Sequence, residues 1–490
     1  MIQKFKNIAL LLVIVLSAAS CKKGWLDVTS GTEIRSDDQF SSEAGFKDAL
    51  IGVYISMTDP DLYSKNATYN VIDLLAQQYA TLPNLALNVD LQSYNYTSVK
   101  SVATLDAIWN KSYNSIANIN NALANIDKNK ALLNPISYSI IKGELLGLRA
   151  FLHFDLMRMY GYGNMAKRQD IAAKLAIPYV TQFTKELTPQ LSYEKTLELL
   201  MKDLEEATVL LKEDPIYNNP KKPSTYYTEI NRDGFYNNRE QRMNYYAAKA
   251  LQARVFQWKG DAASMSNAAT AAEEVIAYSA AKLITSPSYA ATDALLYPEH
   301  IFTLNVTGFT DIVNFYLDGE SATAYNSLLL SSSRAQEVYE TANANVGLVD
   351  VRFNTMLSSK SRGYVSNKLL QKTNATYKNN MPLIRIPEMY YIAAESYALT
   401  NPTKAVDYLN KVRKSRGIIA DITSTDPNVF KEELTKEYRK ELLMEGQLFF
   451  YYKRLGKTTF TGLGSTVVAD DKIYVLPYPT SEIEFGNRVQ

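Results

Sequence analysis

Residues 387–417 read PEMYYIAAESYALTNPTKAVDYLNKVRKSRG, and this pattern predicts two helices joined by a short turn. Apolar side chains recur at helical spacing in both halves, and Pro387 suits the start of the first helix. Asn401 is a good N-cap for the second helix, and Pro402 fits its first turn. Gly417 can adopt the left-handed conformation that ends a helix. The stretch therefore predicts a packed helical pair.

The same helical spacing extends outward toward both ends of the chain. Gly260-Asp261 joins another predicted pair, and residues 428–452 carry one apolar face that predicts a single continuous helix. Paired helices rich in Ala and Tyr resemble tetratricopeptide units, which bury the apolar face of each pair on the next. We therefore predict a mostly α fold built as a scaffold of helical pairs. The helical regions are residues 44–57, 103–160, 192–212, 244–279 and 387–455.

The segments between these helices differ in composition. They are rich in Asn, Ser, Thr, Tyr, Pro and Gly, and their helical periodicity is weak. We predict long loops with short strands, which on a rigid scaffold usually carry function. The predicted loop-rich ligand face comprises residues 60–102, 213–243 and 280–386.

The N-terminus has the layout of a secretory signal. Lys4 and Lys6 precede an apolar run over residues 8–16, and small residues follow at 17–20. The run is too short to span a bilayer, which takes ~20 residues. Cys21, the only cysteine, follows directly, as in a bacterial lipobox. We predict lipid attachment at Cys21; an ordinary signal followed by a chance cysteine is the alternative.

The predicted organisation has three parts. Residues 1–20 are a signal peptide, residues 21–43 are a lipid tether with an extended lead-in, and residues 44–490 form a single domain. Two or more acyl chains on the cysteine suffice for stable anchoring to a membrane.

Several stretches resemble the SusD/RagB family of outer-membrane nutrient-binding lipoproteins. They follow one another in the family's order and cover almost the whole chain. The stretches are Trp25 to Val28, Phe40 to Tyr54, Gly143 to Gly161, Ala176 to Val180, Leu383 to Ala398, Ala405 to Gly417, Glu437 to Gly456 and Leu476 to Pro479.

The resemblance implies about four tetratricopeptide-like units supporting a loop-rich ligand face. It implies a lipid-anchored protein of the outer membrane, facing the cell surface. Its partner would be a TonB-dependent receptor of the SusC type, over which it acts as a lid. The implied cargo is an oligosaccharide, or in some members a peptide, and the implied role is non-catalytic.

Three loops combine aromatic and polar side chains. Sugars pack their flat C–H faces on aromatic rings, while their hydroxyls need amide or carboxylate partners. The first loop lies at 91–96, the second includes Phe315 and the third includes Tyr227 and Asn237. The candidate ligand-binding residues are Gln92, Tyr94, Asn95, Tyr96, Tyr226, Tyr236, Tyr316, Asp318, Tyr325 and Asn326.

Composition argues against other classes of partner. The chain has 52 Lys and Arg against 51 Asp and Glu, and Lys4 and Lys6 leave with the signal. No basic excess remains to displace counterions, so nucleic acid is not expected. The only histidines, His153 and His300, lie far apart, so we expect no metal site, and nothing in the sequence predicts a cofactor. His153 sits in an apolar helix and is expected in the core.

A secreted helical glycoside hydrolase is the alternative from a different class. The charged stretch with Glu437, Arg439, Lys440, Glu441 and Glu445 could supply the carboxylate pair of such an enzyme. We expect a solvated helix face instead, or a segment that locks helices together or meets the channel.

Overall fold

Most of the chain is helical. The computed structural model describes residues 36–372, 376–461 and 466–490. The predicted signal and Cys21 lie outside these residues, so their roles stay predictions. The long helices are α2 (Glu43–Met57), α5 (Val99–Ile126), α6 (Pro135–Tyr160), α7 (Tyr193–Leu210), α8 (Tyr245–Lys259), α9 (Ala262–Tyr278), α14 (Ile386–Tyr397), α15 (Pro402–Ser415), α16 (Pro427–Glu441) and α17 (Leu448–Leu455).

Shorter elements fill the connecting segments. The predicted loops contain short helices as well as strands, because single turns of helix satisfy backbone groups between distant scaffold helices. The short helices are α1 (Ser36–Gln39), α3 (Val71–Leu75), α4 (Val89–Gln92), α10 (Tyr289–Thr292), α11 (Phe309–Val313), α12 (Ser332–Val338), α13 (Val351–Asn354), α18 (Asp471–Tyr474) and α19 (Thr480–Glu484). The strands are β1 (His300–Asn305), β2 (Leu357–Lys360), β3 (Gly363–Ser366), β4 (Asn380–Arg385), β5 (Thr459–Thr461) and β6 (Thr466–Val468).

The strands form three antiparallel pairs. β1 pairs with β4, β2 with β3, and β5 with β6. β1 and β4 are almost fully buried, and α14 follows β4 directly. This pair therefore ties the long segment 306–379 back to the helical scaffold.

Polar side chains cap the starts of two scaffold helices, at Asn401 as predicted and also at Asp261. The side chain of Asn401 accepts a hydrogen bond from Lys404 N, and Asp261 accepts one from Ser264 N. Gly260 has φ +71° and ends α8 directly before Asp261. Gly417 has φ +91°, as predicted for the end of α15.

The long helices pack as successive pairs. α2 packs on α5, α6 on α7, α8 on α9 and α14 on α15. Neighbouring pairs also touch, because α5 contacts α6, α7 contacts α8, and α9 contacts α14. Small residues on the buried face of α9, among them Ala268 and Ala272, allow its neighbours to approach closely. The predicted tetratricopeptide-like scaffold is confirmed.

One hydrophobic core runs through these pairs. Its buried side chains extend along the chain from Phe40 to Tyr478. A smaller cluster around Leu296 and Met356 lies beside it. The single-domain boundary of 44–490 stays a prediction.

The predicted continuous helix over residues 428–452 is wrong. α16 ends at Glu441 and α17 begins at Leu448, because Met444 (φ +70°) and Gly446 (φ +69°) are left-handed. The buried carboxyl group of Asp73 accepts hydrogen bonds from Met444 N (2.9 Å) and Gly446 N (3.3 Å). This distant side chain stabilises the turn in place of helical hydrogen bonds.

The predicted solvated face over residues 437–445 is also wrong. Glu437, Lys440 and Glu441 are fully buried. Glu441 accepts from Arg416 (2.8 and 3.0 Å) and from Arg352 (3.0 Å). The buried charge network comprises Glu299, Asp350, Arg352, Lys368, Arg385, Arg413, Arg416, Glu437, Lys440, Glu441 and Glu445. The alternative role, locking helices together, is what the structure shows.

Candidate functional site

Two of the three candidate loops meet on one face, which we call the two-loop surface (residues 80–96 and 314–330). Ala80 N donates to Leu329 O (2.6 Å), and Leu87 N donates to the Oδ1 of Asn326 (2.8 Å). These bonds join segments that are about half the chain apart. The surface is therefore a composite of both loops.

The first loop is held in shape by its own polar side chains. Buried Gln92 donates to Ala80 O (2.9 Å) and accepts from Leu82 N (2.8 Å). Tyr94 Oη donates to Leu75 O (2.9 Å), and buried Tyr96 Oη donates to Ile473 O (2.7 Å). Asn95 lies between these two tyrosines and is exposed. Asn95 is thus the candidate in this loop that is open to a ligand.

The second loop has a similar division. Tyr316 is buried with its ring 5.9 Å from that of Tyr69, whereas the neighbouring Phe315 is 54% exposed. Tyr325 and Asn326 are half-buried. Phe315 is therefore the aromatic ring that this loop presents to solvent.

Hydrogen bonds to Asp318 and from Arg362 hold the turn that follows Phe315. The half-buried Asp318 accepts from Glu320 N (2.9 Å) and Ser321 N (3.2 Å), and these bonds lower the pKa of its carboxyl group. Arg362, between β2 and β3, donates to Ser321 O (2.7 Å) and Ala324 O (3.1 Å). The carboxylate of Asp318 thus stays ionised and acts as an acceptor near the surface.

Exposed apolar side chains were missed by the sequence reasoning. Leu85 is 69% exposed and Leu87 is 52% exposed, both within residues 80–96 of the two-loop surface. The run LPNLAL at 82–87 was the available signal, since it places leucines in a segment without helical spacing. Together with Phe315 they give the two-loop surface an apolar component beside its amides and carboxylate.

The third candidate loop lies elsewhere. Buried Tyr236 lies under the ammonium group of Lys47 (5.5 Å to the ring centre), and Tyr226 Oη donates to Glu213 (2.6 Å). No hydrogen bond, ion pair or ring contact in the described segments joins Tyr226 or Tyr236 to the two-loop surface. Ligand binding by any of the ten candidate residues stays a prediction, and the structure places Gln92, Tyr96, Tyr236 and Tyr316 in the interior.

The histidines belong to the core, as predicted for His153. Burial lowers the pKa of His153 and of His300 to about 3. The described residues include no group of three His, Cys, Asp or Glu side chains able to hold a metal ion. In the part of the chain that the structure covers, none of the helices combines the length and apolar character needed to cross a membrane.

The family is shown by two sequence profiles. The family described as starch-binding and associating with the outer membrane matches residues 24–230, and the SusD family matches residues 237–472. The two matches adjoin and cover most of the chain. This chain belongs to the SusD/RagB family, as the sequence resemblance predicted.

Solved structures share the whole architecture. A SusD superfamily protein from Bacteroides thetaiotaomicron is 20% identical, with a TM-score of 0.72 over 92% of this chain and 99% of that one. A SusD-like carbohydrate binding protein from Bacteroides vulgatus is 17% identical, with a TM-score of 0.69 over 90% and 96%. Another superfamily protein from that species is 20% identical, with a TM-score of 0.68 over 92% and 98%. At these identities the likeness establishes the fold. None of the curated proteins matches this chain in sequence.

Proposed function

We propose that this protein is a non-catalytic, glycan-binding lipoprotein of the outer membrane that serves as the lid of a TonB-dependent importer. Membership of the SusD/RagB family supports the role, since one matching family is described as starch-binding and associating with the outer membrane. A SusD-like protein of the same fold is described as carbohydrate binding. The two-loop surface carries the proposal because it sets an exposed ring beside amide and carboxylate acceptors, the combination that a sugar requires.

The direct test is calorimetry of the purified mature protein with a panel of oligosaccharides and peptides. Saturable binding of an oligosaccharide, recovered intact after long incubation, is expected. Shortened products would point to a hydrolase, and binding of peptides alone would replace the glycan by a peptide cargo. Co-purification of a large β-barrel receptor from detergent-solubilised outer membranes would support the lid role, and its absence there would count against it.

Phe315→Ala should weaken oligosaccharide binding about tenfold, because the ring supplies the apolar contact for a sugar face. The side chain is half exposed, so the fold should tolerate its removal. Phe183→Ala is the matched control, since Phe183 is 58% exposed on a different segment. Equal affinities for the two variants would place the ligand away from the two-loop surface.

Cys21→Ala should release the protein from the membrane into the soluble fraction, because the lipid attachment atom is lost. Oligosaccharide affinity of the purified variant should stay unchanged, since the two-loop surface lies on the folded domain. Fractionation with immunoblotting and calorimetry measure the two effects. A variant that stays in the membrane fraction would show that Cys21 is not the anchor.

A further inference from the structure

A small cavity lies where five scaffold helices converge, away from the two-loop surface. Its volume is about 30 Å³, and its walls come from α6, α8, α14, α16 and α17. Arg158, Arg254, Trp258, Glu388 and Tyr438 are among the lining residues. A cavity of this size accommodates one or two water-sized species.

Three of the residues that line this cavity each have a buried N–H group without a hydrogen-bond partner. They are Arg158 Nε, Arg254 Nη1 and Trp258 Nε1, and each of these residues is at most 4% exposed. A buried donor left without a partner costs about 1–3 kcal/mol. Three on the walls of one cavity indicate a bound species that satisfies them together.

The other nitrogens of both guanidinium groups are already used. Arg254 donates through Nε and Nη2 to Glu388 (2.6 Å each), and Arg158 donates through Nη2 to Asp155 and through Nη1 to Gln447 (3.0 Å). Glu388, which also lines the cavity, is thus already engaged by two nitrogens of Arg254, and Asp155 is engaged by Arg158. The unpartnered nitrogens have no protein acceptor of their own.

All three unpartnered groups are donors, which restricts what can bind. A single species that satisfies all three must accept three hydrogen bonds, whereas one water molecule ordinarily accepts two while donating two of its own. Burial lowers the pKa of Arg158, the neighbouring Asp155 partly offsets this, and repulsion from Arg254 lowers the pKa further. A negative charge between them would relieve this repulsion.

We propose that this cavity is a binding site for a monovalent halide ion. In the medium around the cell this ion would be chloride. The ion accepts from the two arginines and from the indole of Trp258. It thereby joins α6 to α8 inside the scaffold. Its role is structural, and it adds a ligand of a class different from the cargo of the two-loop surface.

Crystals grown with bromide in place of chloride provide the first test, because bromide scatters anomalously. An anomalous peak within hydrogen-bonding distance of Arg158 Nε, Arg254 Nη1 and Trp258 Nε1 is expected. A site that holds only water under these conditions would overturn the proposal.

Trp258→Phe provides the second test, since it removes one donor and keeps an aromatic ring. Replacing gluconate by chloride at constant ionic strength should raise the Tm of the wild type by about 2 °C, saturating with concentration. The rise should disappear in Trp258→Phe and persist in Trp109→Phe, which changes a buried tryptophan elsewhere. An equal rise in all three proteins would indicate a general salt effect and refute the site.

Discussion

Glu441→Gln is expected to lower the free energy of unfolding by about 3–5 kcal/mol, the cost of removing one partner from a buried ion pair. The carboxylate receives two bonds from Arg416 and one from Arg352, and Arg385 Nη2 lies 2.9 Å from it. Glutamine keeps the shape but leaves these guanidinium groups with less negative charge. Arg416 is fully buried and has no access to water in compensation.

Chemical denaturation of the wild type and of Glu441→Gln at pH 7 measures the loss in the free energy of unfolding. Glu432→Gln is the matched control, because Glu432 is an exposed carboxylate on the same helix, α16. Its effect should stay within about 0.5 kcal/mol. A loss at Glu441 as small as that at Glu432 would show that solvent reaches the network.

Acid should destabilise the protein between pH 6 and pH 5 by about 1.4 kcal/mol per pH unit. His153 and His300 take up protons near pH 6.5 when unfolded but only near pH 3 when folded, so each favours unfolding as the pH falls. Asp73 acts in the opposite direction, since burial raises its pKa to about 7 and the folded form holds a proton that the unfolded form lacks. The net uptake on unfolding is therefore about one proton.

The geometry of each histidine explains the sign. His153 Nδ1–H donates to Arg149 O (2.9 Å) and Nε2 accepts from Val180 N (2.9 Å), so protonation would break the second bond. Protonated His300 would carry its charge near Arg385 and Lys368. Both side chains are therefore held neutral.

Two variants separate these contributions. His153→Gln should reduce the number of protons taken up on unfolding by one, so the unfolding free energy should depend less steeply on pH. Asp73→Asn should increase the number of protons taken up on unfolding by one, because the Asp73 carboxyl group no longer releases a proton on unfolding. The dependence on pH should then be steeper. Unfolding curves from pH 7 to pH 4.5 measure both slopes, and a slope unchanged by either substitution would contradict the assignment.

The sequence predicted the helices well because their determinants are local. Caps such as Asp261 and Asn401 act within three residues of their own position. The break between α16 and α17 escaped prediction because it depends on Asp73, 371 residues away from Met444. The charged stretch was misread for a related reason, since Arg352 and Arg416 approach it from distant segments.

The candidate site was predicted only in outline. Composition drew attention to the two loops, but their meeting depends on long-range hydrogen bonds, such as that between Leu87 and Asn326 across 239 residues. Polarity alone could not show that Gln92 faces inward while Asn95 faces outward. In an irregular loop, inward-facing and outward-facing side chains do not alternate with a fixed period. The sequence therefore carries no signal for the direction of each side chain.

The two-loop surface and the buried charge network differ in how firmly they are held in the fold. Few bonds hold the loops to each other, while the pairing of buried cations and anions fixes the scaffold beneath them. On the proposed function, mutations at Leu85, Asn95 or Phe315 would therefore alter what is bound at little cost in folding. Related proteins would then differ in the ligand they bind through substitutions confined to these two exposed segments, while the core stays the same.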